Sequence, residues 1–210
     1  ITRTLHSIRY KNLEKLVKYA AQKNKTLKVV DVGCGPAKSY KIIKNLGVSF
    51  QYLGIDNWKP FVEIAKERYG EFENFEIICD SIENVFHAFE DADLIIGLES
   101  FEHIPEPLVV RTIEAIGKSK FKHLYLTVPN EIGPAILIKN LGSFFMGYHR
   151  YKEYNWAETF SASIYNLDNV GRHGNGHKGF DWRWLAQTLR QNCKIIKITK
   201  SPLQIIPKFI

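Results

Sequence analysis

Cysteine is nearly absent from this chain. Cys34, Cys79 and Cys193 are odd in number, widely spaced and form no CxxC pair. That pattern excludes a disulfide framework and a zinc knuckle, and a reducing, cytosolic setting fits it best. Long apolar runs are missing too. The longest, Pro134 to Met146, contains Lys139 and Asn140 and is too short to span a bilayer. The first residues, Ile1-Thr2-Arg3, open no apolar segment, so no signal peptide is expected, and the lack of an initial Met suggests a trimmed chain or a fragment. No internal repeat is evident. Hydrophobic residues make up 45% of the chain and charged residues 24%, which excludes disordered, collagen-like and coiled-coil classes.

What is present is an alternation of short apolar runs with amphipathic stretches. Leu5 to Asn24 carries an apolar stripe of Leu5, Ile8, Leu13, Leu16, Val17 and Ala20 between lysines, which predicts a helix. Buried strands are expected over Leu27 to Val32, Phe50 to Ile55, Phe75 to Cys79, Ala92 to Leu98 and Phe121 to Val128. Helices are expected over Lys38 to Leu46, Pro60 to Tyr69, Glu106 to Gly117 and Asp181 to Asn192. Two further strands, about Lys194 to Lys200 and Gln204 to Ile210, would close the sheet as a hairpin. The sum is one α/β domain over residues 1–210. Its sheet would be doubly wound, mostly parallel, seven-stranded and Rossmann-like, with helices on both faces. Residues 131–172 break the rhythm after the fifth strand as an aromatic-rich insertion.

In such a sheet, ligands bind at the carboxyl ends of the strands, near the switch in strand order. Four successive strands end near an acidic residue: Asp31, Asp56, Asp80 and Glu99. Gly33 and Gly35 let the backbone approach a ligand closely. A carboxylate at Asp56 can accept two ribose hydroxyls. Asp80 can accept an adenine amino group, with Ile82 or Ile55 packing on the ring. Lys38 stands where a GxGxxG loop would place its third glycine, which disfavours a pyrophosphate cradle. Asp31 beside the loop suits a cationic ligand better.

Val29-Val30-Asp31-Val32-Gly33-Cys34-Gly35, Gly54-Ile55-Asp56, Cys79-Asp80-Ser81 and Asp93-Leu94-Ile95-Ile96, in this order, resemble the class I S-adenosylmethionine-dependent methyltransferases over roughly residues 27–130. The resemblance implies S-adenosylmethionine as donor and a donor site made of Asp31, Gly33, Cys34, Gly35, Asp56, Asn57, Asp80, Ser81, Ile82 and Glu99. A nucleotide-binding Rossmann protein without methyl transfer is the alternative from another class.

Glu99-Ser100-Phe101-Glu102-His103 follows the fourth strand. Two carboxylates and an imidazole in five residues can converge on one face, and such a set suits Mg²⁺ or Mn²⁺. Together with the later His177-Lys178-Gly179-Phe180-Asp181-Trp182, this segment is similar to the small-RNA 3′-end 2′-O-methyltransferases. Alone, it is similar to the O-methyltransferases of quinone biosynthesis. The resemblance implies Glu99, Glu102, His103 and His177 as metal ligands, with His173 a weaker candidate. Gly179 and the long insertion depart from the RNA group. Without a metal, His103 or His177 would be the general base, with Glu102 beside them.

Thr127-Val128-Pro129-Asn130 ends the fifth strand at the same edge. The insertion holds Phe144, Phe145, Tyr148, Tyr151, Tyr154, Trp156, Phe160 and Tyr165. Three readings stand for it: a lid, an amphipathic element on a membrane surface, or a stacking platform for sugars or bases. The net charge of +7 is unevenly spread. Residues 1–47 carry 11 basic and 2 acidic side chains, residues 48–130 carry 7 and 15, and residues 131–210 carry 11 and 5. An acidic middle fits a cationic donor, and a basic tail fits an anionic acceptor. The expected function is O-methylation of a small-molecule, glycan or lipid-linked sugar acceptor, with an RNA 2′-O-methyltransferase as alternative.

Overall fold

A computed structural model describes residues 2–145, 154–171 and 177–199, with side chains from residue 9 onward. Five strands form the sheet: β1 (Leu27–Val32), β2 (Phe50–Asp56), β3 (Phe75–Cys79), β4 (Leu94–Leu98) and β5 (His123–Thr127). All pairings are parallel, and the order is β3-β2-β1-β4-β5. The helices are α1 (Thr2–Ala21), α2 (Lys38–Lys44), α3 (Lys59–Tyr69), α4 (Glu106–Lys118), α5 (Pro134–Phe145), α6 (Trp156–Ser163) and α7 (Trp182–Asn192).

The two-residue period of the strands sorts the core into two layers. Val29 of β1 and Leu94 and Ile96 of β4 pack with Leu13 and Val17 of α1, Ile43 of α2 and Val62 and Ala65 of α3. Val30 and Val32 of β1 and Ile95 of β4 face the other way, onto Val109, Ile113 and Ile116 of α4 and Leu185 of α7. Strands apolar on both faces cannot be exposed on either, so helices cover both sides of a parallel sheet. The chain leaves β1 toward β2 on one side and returns to β4 on the other. The switch point therefore lies between the carboxyl ends of β1 and β4.

Two expectations are corrected. Seven strands were expected, and the described residues hold five. Residues 194–199 belong to no ladder, and Ile196 is 87% exposed. Alternating isoleucines mark a segment able to form a strand, but a strand needs a partner for its N–H and C=O groups. The second half of the expected hairpin, 204–210, lies outside the described residues. The insertion, where described, contains two helices: Pro134 occupies the first turn of α5, where its missing N–H is harmless, and a reciprocal Asn155–Glu158 capping box starts α6. No described helix is long and apolar enough to cross a membrane.

Candidate functional site

The loop after β1 is shaped by two close approaches. The Gly33 N–H donates to the Ile55 carbonyl at 2.8 Å, at a positive φ of 67°. A Cβ there would sit 2.4 Å from the Ser100 Cβ, so only glycine fits. Ser100 is in turn buried and fixed by its hydroxyl donating to the Val32 carbonyl at 2.7 Å. Gly35 also has positive φ, and its N–H donates to Asp56 Oδ2 at 2.8 Å, while the Trp58 N–H donates to Oδ1 at 2.9 Å. Asp56 therefore stands half-buried at the end of β2, oriented by backbone from two loops. Asn57 is exposed beside it. Asp80 is exposed after β3 and accepts from the Ser81 N–H at 2.7 Å and the Asn84 amide at 2.8 Å. Ile82 is buried below it. The Cys34 side chain is turned into the fold, over Gly54, and burial raises its thiol pKa well above the usual value. Cys34 thus lines the loop through its backbone.

Asp31 is placed differently from the other carboxylates. It is buried, and its Oδ2 accepts from the Ser39 hydroxyl and from the Tyr52 hydroxyl at 2.6 Å, while Oδ1 meets no hydrogen-bond partner among the described residues. Burial raises its pKa to about 6, and the Asp56 charge adds to the rise. The two hydrogen bonds oppose it. Ser39 and Tyr52 carry no motif, so nothing in the sequence pointed to them.

Beyond β4 the acidic segment divides. Glu99 adopts a positive φ of 57° and pairs with Arg9 of α1 at 3.2 Å. Tyr125 of β5 holds the same turn of α1 by donating to the Arg9 carbonyl at 2.9 Å. A non-glycine residue in the left-handed region is strained, and such strain gathers at binding sites. Glu102 and His103 lie on a 3₁₀ turn, Phe101–His103. Glu102 is almost fully buried, and neither of its oxygens meets a hydrogen-bond donor among the described residues. Two imidazoles approach its Oε1, His177 through Nδ1 at 3.5 Å and His103 through Nε2 at 3.9 Å. The two imidazole centroids are 4.9 Å apart. The pKa of His177 is raised, first by Glu102 and then by the charges of Glu131 and Glu99, against the opposing effect of burial.

The structure thus gathers three of the four residues expected around a metal. Glu102, His103 and His177 can present one ligand atom each within 4.8 Å of one another, while Glu99 is engaged with Arg9. A buried carboxylate with two orphaned oxygens beside two half-exposed imidazoles fits a divalent cation. His173 lies outside the described residues. Arg9 and Glu131 were not foreseen. Glu131 is buried and pairs with Lys139 at 3.1 Å, and Lys139 also donates to the Asn130 carbonyl at 2.7 Å. The His177 turn is anchored to the insertion by two contacts just after His177. Lys178 pairs with Glu158 at 2.7 Å, and the Gly179 N–H donates to the Tyr154 hydroxyl at 2.7 Å. Gly179 has a φ of 72°, which accounts for glycine there.

A family profile described as a methyltransferase domain matches residues 29–119. The methyltransferase domain of bacterial CtHen1-C is similar in structure, with a TM-score of 0.52 and 18% identity, covering 60% of this chain and 67% of that one. A SAM-dependent methyltransferase from Archaeoglobus fulgidus gives 0.46 and 15%, covering 66% and 67%. TehB from Haemophilus influenzae gives 0.40 and 20%, covering 49% of this chain, which spans only 35% of TehB. No curated protein matches the sequence. The glycine loop and the acidic strand ends lie within the stretch, residues 29–119, that matches a methyltransferase domain.

Proposed function

We propose that the protein transfers the methyl group of S-adenosylmethionine to an oxygen atom of a small-molecule, glycan or lipid-linked sugar acceptor. The observation that carries this reading is the grouping of Glu102, His103 and His177 at the carboxyl edge of the sheet, next to the donor-type loop. Asp56 would hold the ribose hydroxyls of the donor, and Asp80, Ser81 and Ile82 its base. The Gly33–Gly35 backbone would lie along its amino-acid end.

His177, made more basic by Glu102, would take the acceptor proton as the oxygen forms its bond to the methyl carbon and the carbon–sulfur bond breaks. Glu102 stabilises the imidazolium so formed. Where a divalent ion is held, Glu102, His103 and His177 would be its ligands, and it would lower the pKa of the acceptor hydroxyl. Much of the acceleration would come from holding two bound reactants in line. The insertion, tied to the His177 turn through Tyr154 and Glu158, would act as a lid over the acceptor. The three unpaired thiols suit a reducing, cytosolic setting.

An RNA 3′-terminal ribose is a second acceptor reading, favoured by the meeting of Glu102 and His103 with the distant His177. Tritium transfer from labelled donor into separated glycan, lipid and RNA fractions tests both. Label in glycan or lipid is the expected result, and label confined to RNA would reverse the choice. Activity after exhaustive chelation should fall at least tenfold, and full retention would remove the metal role.

A further inference from the structure

On the face of the sheet covered by α1, α2 and α3 lies a cleft of about 520 Å³ lined by Tyr10, Lys38, Lys41, Ile42, Arg68 and Tyr69, none of them among the residues assigned to the donor. Three elements contribute to it: Tyr10 from α1, Lys38, Lys41 and Ile42 from α2, and Arg68 and Tyr69 from α3. Its lining holds three cations and no carboxylate. Lys38, Lys41 and Arg68 are exposed, and none pairs with an acidic side chain among the described residues. Like charges brought to one concavity repel one another, and an anion between them relieves that repulsion.

Helix electrostatics explains part of this placement. Lys41 lies in the last turn of α2 and Arg68 in the last turn of α3, where cations are favoured. Lys38 is different. It opens α2, the end at which a positive charge is disfavoured, and no acidic residue stands in that turn. Tyr10, Lys38, Lys41 and Ile42 belong to residues 1–47, which carry 11 basic and 2 acidic side chains. The tyrosines supply flat walls with hydroxyls.

We propose that this cleft is a second ligand site, separate from the donor pocket, that takes a phosphate group of a phosphorylated small molecule or of a lipid headgroup. Lys38, Lys41 and Arg68 would bind the phosphate oxygens, and the rings of Tyr10 and Tyr69 would flank the group that carries it.

Calorimetric titration of the full chain with inorganic phosphate at fixed ionic strength tests the site, with flotation on phosphatidic acid vesicles as the lipid arm. Saturable millimolar or tighter phosphate binding is expected. A Lys41→Ala/Arg68→Ala double variant should weaken it at least tenfold and leave S-adenosylhomocysteine affinity within twofold, which certifies the fold. Preferential flotation with phosphatidic acid over phosphatidylserine, lost in the same variant, would assign the phosphate to a headgroup. Saturable phosphate binding with equal flotation on both lipids would assign the phosphate to a small molecule, and absence of saturation or equal binding by wild type and variant would overturn the proposal.

Discussion

Asp31 shows how burial alone changes the behaviour of a common side chain. Its folded pKa, about 6, lies above the usual 3.8. The folded state therefore holds this proton more tightly than the unfolded chain does. Between about pH 4 and pH 6 the unfolded state binds fewer protons, so stability falls as pH rises through that window and then levels. A shift of this size corresponds to roughly 3 kcal/mol. Urea denaturation should show that decline in the wild type and a flatter profile in Asp31→Asn. Identical slopes would mean that Asp31 is not titrating as its burial dictates. The His177–Glu102 pair carries the same sign at higher pH. A histidine with raised pKa contributes stability that is full below about 6.5 and is lost as pH rises through the folded value. In Glu102→Gln the imidazole of His177 should titrate lower, read by NMR. An unmoved titration would remove Glu102 as the cause.

A backbone crossing ties together the helices of the insertion, beside the buried Asn140–Thr159 hydrogen bond. The Gly133 N–H donates to the Ala162 carbonyl at 2.8 Å, joining the start of α5 to the end of α6. Gly133 has a φ of 77°, and a Cβ there would lie 2.6 Å from the Tyr165 ring. Gly133→Ala should therefore destabilise the protein by at least about 1–3 kcal/mol, a combination of backbone strain and displaced ring. An unchanged denaturation midpoint would show that α5 and α6 tolerate a shift. Elements of this kind were the least legible in the sequence. The five strands could be read because a parallel strand buried on both faces is a nearly unbroken apolar run. Ile195, Ile196 and Ile198 carry a similar signal, yet residues 194–199 join no ladder, because composition cannot report whether a partner strand is at hand. The site divides in the same way. Asp56, Asp80 and the glycines were legible from their places at strand ends. Glu102 and His177 could be paired only through a resemblance, and Arg9 and Glu131 gave no local signal, since each acts across a distance that only the fold creates.

Over the whole chain, charge is segregated: basic over residues 1–47, acidic over 48–130 and basic again to the end. The acidic stretch contains Asp56, Asp80, Glu99 and Glu102, so the negative charge is concentrated where a cationic donor would sit, and the overall excess of +7 does not describe that site. Binding there should stabilise the entire fold, because the loops after β1, β2, β3 and β4 all contribute and the unfolded chain offers no such site. At a ligand concentration about 100 times Kd the gain is about 2.7 kcal/mol. For a domain of this size each kcal/mol raises Tm by about 2–4 °C, so S-adenosylhomocysteine should raise Tm by roughly 5–11 °C. Asp56→Ala removes the carboxylate that two backbone N–H groups hold in place at the end of β2, and its shift under the same conditions should fall to a small fraction of this. A wild-type protein whose Tm ignores the ligand would refute the donor site as a whole. A variant that keeps the full shift would leave the site standing and remove only Asp56 from it.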